Sequence, residues 1–389
     1  MEGRERFVTG NALVDRAVGC LAGAAVGDAL GGATEGWSPR QIRQRWGGWV
    51  EGIVPPYFED WKTARPIAPY HKGDGHVTDD TLMTHLLVEV YKQARSHLSA
   101  YDVAERLVPL MIGHETWIPE LETRALPLQR VFLAEKFIAL RLHWGHADPR
   151  EAGVGNAVNC GAAMYMAPVG IVNCADPDRA YDEAIDIAGA HQSSYGREAA
   201  GVLAACVAVA ATPGATIDDV LSTACRLAKD GTRAAIEAVL EIAASIGHWT
   251  EAIESGKLRQ AVAPYDTVGE DYRDQGLGAR RPSRLHAIEE LPIALAMLAI
   301  AGGNWRDAVL GGVNYGRDSD SIATMAGAVA GALGGRAVVP ADLCDAVARA
   351  SRIDVVAPGE QLAAVAVEIR TADRARANAV DAAFEELMR

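Results

Sequence analysis

Apolar residues recur along most of this chain at intervals of three and four, the spacing of one face of an α-helix. From Leu82 the stripe runs Met83, Leu86, Leu87, Val90 and Ala94. The same period recurs over residues 103–112, 180–190, 199–211, 220–227, 234–246, 290–301 and 343–350. Strictly alternating runs bounded by turns, the mark of half-buried strands, are scarce. The pattern predicts an all-α fold.

Two of the predicted helices carry glycine rows at four-residue spacing: Gly19, Gly23, Gly27 and Gly31 in one, Gly327, Gly331 and Gly335 in the other. Each glycine inside a helix costs roughly 1 kcal/mol relative to alanine. Close packing of backbone on backbone would offset that cost, so both helices are expected at the centre of the fold. Two stretches break the period. Residues 51–76 contain Pro55, Pro56, Pro66 and Pro69 and end in His71-Lys72-Gly73-Asp74-Gly75-His76; residues 264–284 mix Asp, Arg, Gly and Pro. Loops this long inside a compact domain tend to carry function. Acidic motifs lie on both sides of each, so they are read as long loops near a site. The domain organisation is therefore one domain, residues 1–389.

Composition narrows the function. At 389 residues the chain can bury a sizeable core, and 49% hydrophobic with 23% charged residues is the balance of a soluble globular protein. A net charge of −14 leaves no basic face to displace counterions from phosphates, which argues against a nucleic-acid partner. The first six residues carry both charge signs with no apolar run behind them, so no secretory signal is expected. The apolar stretch 18–30 is interrupted by Asp28 and is too short to span a bilayer. Six scattered cysteines without a CxxC pair read as reduced core residues, and the expected location is the cytoplasm. Oligomeric state is not legible.

Three short motifs carry candidate chemistry. Thr78-Asp79-Asp80-Thr81 precedes an amphipathic helix, where a Thr or Asp also serves as an N-cap and the helix dipole favours carboxylates. One cap needs only one acceptor, however, and adjacent carboxylates repel. A divalent cation would offset the repulsion, and carboxylate plus hydroxyl oxygens are the donors that Mg²⁺ or Ca²⁺ prefers. Asn314-Tyr315-Gly316-Arg317-Asp318-Ser319-Asp320-Ser321 repeats the arrangement ahead of a small-residue helix. Gly27-Asp28-Ala29-Leu30-Gly31 sets a charge at the end of an apolar helix, where it should be buried and paired or near a cation, with Glu35 in the turn beyond.

Taken together these motifs resemble the ADP-ribosylglycohydrolase family. The resemblance rests on residues 23–31, on Thr78-Asp79-Asp80-Thr81, and on Gly316-Arg317-Asp318-Ser319-Asp320-Ser321 running into Gly327 and Gly331. It also rests on Gly161-Ala162-Ala163-Met164 with Ala167-Pro168, and on His191 ahead of Gly196. It spans about residues 20 to 335, in the family's order. It implies an all-helical fold, a single compact orthogonal helical bundle, holding two Mg²⁺, or Mn²⁺, at the mouth of an ADP-ribose cleft. The implied ligands are Thr78, Asp79, Asp80, Asp318, Asp320 and Ser321, with Glu35 beside the metals and Glu35 or Asp318 activating a water. Asn159, Cys160, Gly161, Ala162 and His191 would line the substrate side. Three positions depart from the family's habit: Tyr165 stands where Arg is usual, Arg317 where a second Gly is usual, and Asn159-Cys160-Gly161 where Asn-Gly-Gly is usual. Tyr165 and Arg317 are therefore expected to bear on the substrate, an ADP-ribosyl or other ribosyl conjugate.

Two rival readings are weaker. An all-α Mg²⁺ enzyme acting on diphosphates would need a third Asp after Asp79-Asp80, which Thr81-Leu82-Met83 does not supply. A non-catalytic ADP-ribose-binding or crystallin-like relative would be free to lose metal carboxylates, yet every matched ligand position is filled. His71 and His76 flank a glycine-rich loop and are read as rim residues; His143-Trp144-Gly145-His146 is read as a surface turn.

Overall fold

The computed structural model describes residues 11–64, 69–265 and 286–389. Its first helix, Ala12–Gly31, starts at Asn11, whose side chain accepts a hydrogen bond from the Leu13 amide at 2.9 Å. Every residue from Ala17 to Gly31 is buried, so this helix runs through the middle of the molecule. It lies antiparallel against Ser319–Gly334. Gly23 faces Gly327, Gly19 faces Gly331, and Gly31 faces Ser319 and Asp320, each step along one helix matched by a backward step on the other. A Cβ on Gly327 would collide with the Gly23 carbonyl, and one on Gly331 with the Gly19 carbonyl. The expected backbone-on-backbone contact is thus present, and it brings the C-terminal end of one helix to the N-terminal end of the other.

Helices Asp79–Ala94, Ser194–Ala210, His286–Ile300, Trp305–Tyr315 and the first part of Ala357–Leu387 pack around this pair. Pro177–Gly189, Ile217–Leu227 and Asp230–Ala243 form a further layer on Ser194–Ala210 and His286–Ile300. The predicted stripes coincide with these helices and with Ala341–Ser351. Residues 103–112 are less regular than their period suggests: a π-helical turn, Val103–Leu107, separates two short α-helical pieces. The fold is all-α; among the described residues its one sheet is a hairpin, Thr116–Ile118 paired antiparallel with Thr123–Ala125. Three-residue strands are too short to show alternation.

The long loop at residues 51–76 is irregular where described, apart from one helical turn, Trp61–Ala64. Aromatic rings hold it down: Trp37 stacks on Tyr57 with centroids 3.4 Å apart, and Trp61 stacks on His71 at 4.7 Å. Residues 266–284 of the second predicted loop lie outside the described residues. His143, Trp144 and His146 are exposed as expected, but His143 and Trp144 close a π-helical segment, Leu140–Trp144, and the chain bends only at Gly145. Among the described residues no helix is long and apolar enough to cross a membrane.

Candidate functional site

Three helix ends meet at one place: the C-terminal end of Ala12–Gly31 and the N-terminal ends of Asp79–Ala94 and Ser319–Gly334. Asp28, in the last turn of the first, points its Oδ2 at the start of the second. It accepts hydrogen bonds from the Thr78 amide (2.9 Å), the Thr81 amide (3.1 Å) and the Thr81 hydroxyl (2.5 Å). Thr78 is the N-cap, its hydroxyl accepting from the Asp80 amide at 3.3 Å. Asp318 holds the N-cap position of the third helix but makes no capping hydrogen bond there. Its carboxylate is engaged with neighbouring side chains instead.

Carboxylate oxygens of Asp28, Asp80 and Asp320 lie within 4.8 Å of one another, and so do those of Glu35, Asp318 and Asp320. Asp320 belongs to both groups. Asp28, Asp80 and Asp320 are at most 3% exposed, yet Asp28 Oδ1 and Asp80 Oδ1 have no hydrogen-bond partner among the described residues. Burial first, then the neighbouring Asp320, pushes the Asp28 and Asp80 carboxyls up. Burial and Asp320 likewise raise Asp318. Asp320 goes the other way: its burial is outweighed by the Lys72 ammonium and by its hydrogen bond with Asp318.

Lys72 comes from the long loop. Its Nζ is ion-paired with Glu35 and lies 3.4 Å from Asp320 Oδ2. Asp79, by contrast, turns to Arg130: Nη2 is 2.9 Å from Asp79 Oδ1, and the Phe132 amide donates to Oδ2 at 3.1 Å. Arg130 is shared with the buried Glu120. Of the residues picked out in the sequence, Glu35, Asp80, Asp318 and Asp320 are brought together, Thr78 and Ser321 flank them, and Asp79 is held at the edge by Arg130.

The Asn159–Ala162 turn borders this group. The Cys160 thiol donates to Asp318 Oδ2 at 3.1 Å, and burial pushes the thiol up. Asn159 Oδ1 accepts from the Gly161 amide (3.0 Å) and from Gln192 Nε2 (2.9 Å), which fixes the turn. Tyr165 and His191 are fully buried. The Tyr165 hydroxyl is 3.1 Å from His191 Nδ1, and His191 Nε2 is 3.3 Å from Glu135 Oε1. A Cβ on Gly161 would touch both Glu135 and His191, so this chain supports the turn from behind. Arg317 keeps the left-handed backbone (φ 57°) that a glycine would adopt without strain. Its guanidinium forks onto Glu289, Nε at 2.6 Å and Nη2 at 3.0 Å.

Sequence reasoning missed Lys72, Arg130 and Glu290. Glu290 is fully buried and lies within 4.8 Å of Cys160 and Asp318. Its signal was there to read: two adjacent glutamates opening an otherwise apolar run. Lys72 had only its place in a glycine-rich loop ahead of an acidic motif, and Arg130 had none.

An all-helical protein with a buried carboxylate cluster where three helix ends converge defines a small class. Residues 9–377 match the ADP-ribosylglycohydrolase family, and the chain belongs to it. The family is generally metal-dependent, acts on ADP-ribosyl conjugates and supports a glycohydrolase-type activity here. An uncharacterised protein of Archaeoglobus fulgidus is 26% identical over 315 residues, covering 81% of this chain and 86% of its own length. The uncharacterised protein YegU of Escherichia coli K12 is 26% identical over 339 residues, covering 84% and 90%. Among solved structures, an ADP-ribosylglycohydrolase-related protein complex shares the fold, with TM-score 0.56 and 21% identity over 92% of this chain and 98% of that one.

Proposed function

We propose that this protein is a metal-dependent glycohydrolase that cleaves the C1 ribosyl bond of an ADP-ribosyl or related ribosyl conjugate, using two Mg²⁺ (or Mn²⁺). One observation carries the reading: buried carboxylates crowd at a triple helix end with oxygens that no donor among the described residues satisfies. Buried polar atoms are ordinarily paired, and these donors are hard oxygens, so they suit a divalent cation of the Mg²⁺ type. Thr78, Asp80, Asp318, Asp320 and Ser321 would hold the ions, with Asp79 joining from the edge. Bound there, the ions supply Lewis-acid polarisation of ribose hydroxyls and lower the pKa of water.

The remaining chemistry belongs to the chain's own groups. Glu35 is partly open, with 27% of its side chain exposed, and it faces Asp318 and Asp320. It accepts the proton of the attacking water, with Asp318 beside it as second base. The clustered negative charge stabilises the oxocarbenium-like cation that develops at C1. Lys72, ion-paired with Glu35, fixes the direction of that carboxylate. The Asn159–Ala162 turn, stiffened by Gln192 and backed by His191 and Tyr165, forms the wall against which the diphosphate or distal ribose rests. Tyr165 and Arg317 act on the substrate by positioning this wall and the Gly316 turn. No nucleic acid is involved, given the charge of −14.

The test is metal-dependent release of ADP-ribose from ADP-ribosyl-arginine, run beside a panel of small ribosyl conjugates, with Asp318→Asn/Asp320→Asn as control. Turnover abolished by chelator and in the variant supports the reading, and the panel identifies the leaving group. Tight ADP-ribose binding with no turnover on any conjugate would sink it in favour of a non-catalytic binder.

A further inference from the structure

Beside the carboxylate centre, the loop at residues 69–76 meets the turn of the 116–125 hairpin. His71 and His76 stack face to face there, ring centroids 3.9 Å apart, and both turn an edge toward Glu122. His71 Nδ1 is 2.9 Å from Glu122 Oε1, and His76 Nε2 is 3.8 Å from the same oxygen. All three ligand atoms lie within 4.8 Å of one another. None of these residues belongs to the acidic centre, and the family resemblance assigns them no role.

The other ring nitrogens determine what the facing ones can be. His71 Nε2 is 2.8 Å from Asp74 Oδ2, and His76 Nδ1 is 3.0 Å from the Gly73 carbonyl. A carboxylate and a carbonyl can only accept, so each of these nitrogens carries the proton. In the neutral rings, His71 Nδ1 and His76 Nε2 are then bare lone pairs, aimed at an oxygen that also can only accept. Three acceptors converging in this way call for a proton or a metal cation between them. A proton on His71 satisfies one pair; a metal ion satisfies all three. Histidines that bind metals are held in this manner, the distal N–H donated to a carboxylate or backbone carbonyl.

The frame is already in place. The His71 amide donates to the Glu120 carbonyl at 2.9 Å, tying the loop to the hairpin, and the Asp74 amide donates to the Val54 carbonyl at 2.8 Å. Trp61 covers the outer face of His71. Glu122 is the most exposed of the three, 38% by side chain, with Lys62 Nζ 3.7 Å from its other oxygen. A fourth coordination position therefore opens toward solvent.

We propose that His71, His76 and Glu122 form a second, separate metal site that takes a transition-metal dication, with Zn²⁺ the best chemical match. Two imidazole nitrogens and one carboxylate oxygen, with one position left for water, is a zinc-type donor set, whereas the all-oxygen centre beside it suits Mg²⁺. An ion there would clamp the loop that carries Lys72 and leads into Thr78. It would thereby hold one wall of the carboxylate centre.

The experiment uses the full chain, stripped of metal and supplied with one equivalent of Zn²⁺ under excess Mg²⁺. Zinc retained after desalting is measured, and Co²⁺ is substituted to record the intensity of its visible bands. The expected result is one zinc per chain, with tetrahedral-type cobalt absorption. His76→Ala and Glu122→Gln should each weaken retention by about 100-fold or more, because losing even an outer partner of a metal ligand costs about 10–100-fold. Asp74→Asn should weaken it by about 10-fold. Asp318→Asn/Asp320→Asn should leave it unchanged. Glu122→Gln, at an exposed turn, guards against misfolding in the histidine variant. The proposal is overturned if wild type retains no zinc, if both His76→Ala and Glu122→Gln retain it fully, or if the aspartate variant is the one that loses it.

Discussion

Two buried carboxylate sites in this molecule are built in opposite ways. Glu183 is 8% exposed and has both oxygens saturated: Oε1 accepts from the Tyr91 hydroxyl and the Leu98 amide, each at 2.8 Å, and Oε2 from His97 Nδ1 (2.6 Å) and Asn173 Nδ2 (2.7 Å). Asp28 and Asp80 are buried as deeply, yet each keeps one oxygen with no partner among the described residues, and like charges crowd around them. A carboxylate that serves the fold is satisfied by the fold. One that serves a ligand is left open to it, at a desolvation cost the structure tolerates only where helix N-termini and Lys72 offset part of the charge.

The sharpest way to break this contrast is to remove charge from each site in turn. Asp318→Asn/Asp320→Asn should lower kcat by about 10³-fold or more, while the thermal midpoint holds or rises, because crowded buried charge is relieved. Steady-state rates and a melting curve on one preparation test both halves. A large fall in the midpoint would show that these residues serve the fold after all. Glu183→Ala should behave in the opposite sense. It strands four donors, so a loss of about 3–5 kcal/mol is expected by denaturant unfolding, with kcat per folded molecule unchanged.

Gly327→Val tests how the open site is positioned. The added side chain collides with the Gly23 backbone, and overpacking of this kind costs about 1–3 kcal/mol. Because it separates the helices bearing Asp28 and Asp320, activity should fall further than in a Glu183 variant of equal stability. The smallest effect is at His97, which bridges Glu183 and Asp373. Burial disfavours its charged form, but the two carboxylates outweigh burial and raise its pKa above 6.5. The stabilisation is therefore complete below about pH 6.5, the unperturbed value, and is lost as pH rises through the raised folded value. His97→Gln should lower the midpoint by the equivalent of about 1 kcal/mol or less at acid pH. The gap from wild type should close on going alkaline; a gap that widens would reverse the assigned sign.

Much of the fold was legible because helical period is a local property. The stripe at Met83, Leu87 and Val90 and the glycine rows each specify a face without knowledge of the partner. Asp80, Asp318 and Asp320 were legible for a related reason: adjacent acids at helix starts exceed what capping needs. What could not be read depends on long-range placement. Lys72 reaches Asp320 across 248 positions, and Glu183 meets Tyr91 across 92. Arg317 and Tyr165 were visible as departures from a pattern, but their partners, Glu289 and His191, are set by packing. Asp79 looks identical to Asp80 in sequence; only the fold turns one to Arg130 and the other to the cluster.

The contrast between satisfied and open carboxylates rests on the open ones holding divalent cations. The direct measurement is a calorimetric titration of the metal-stripped protein with Mn²⁺, wild type beside Asp318→Asn/Asp320→Asn, with Glu122→Gln in both to remove the histidine cluster. Saturable binding that disappears in the aspartate variant is the predicted result. No binding to wild type, or equal binding to both, would contradict it.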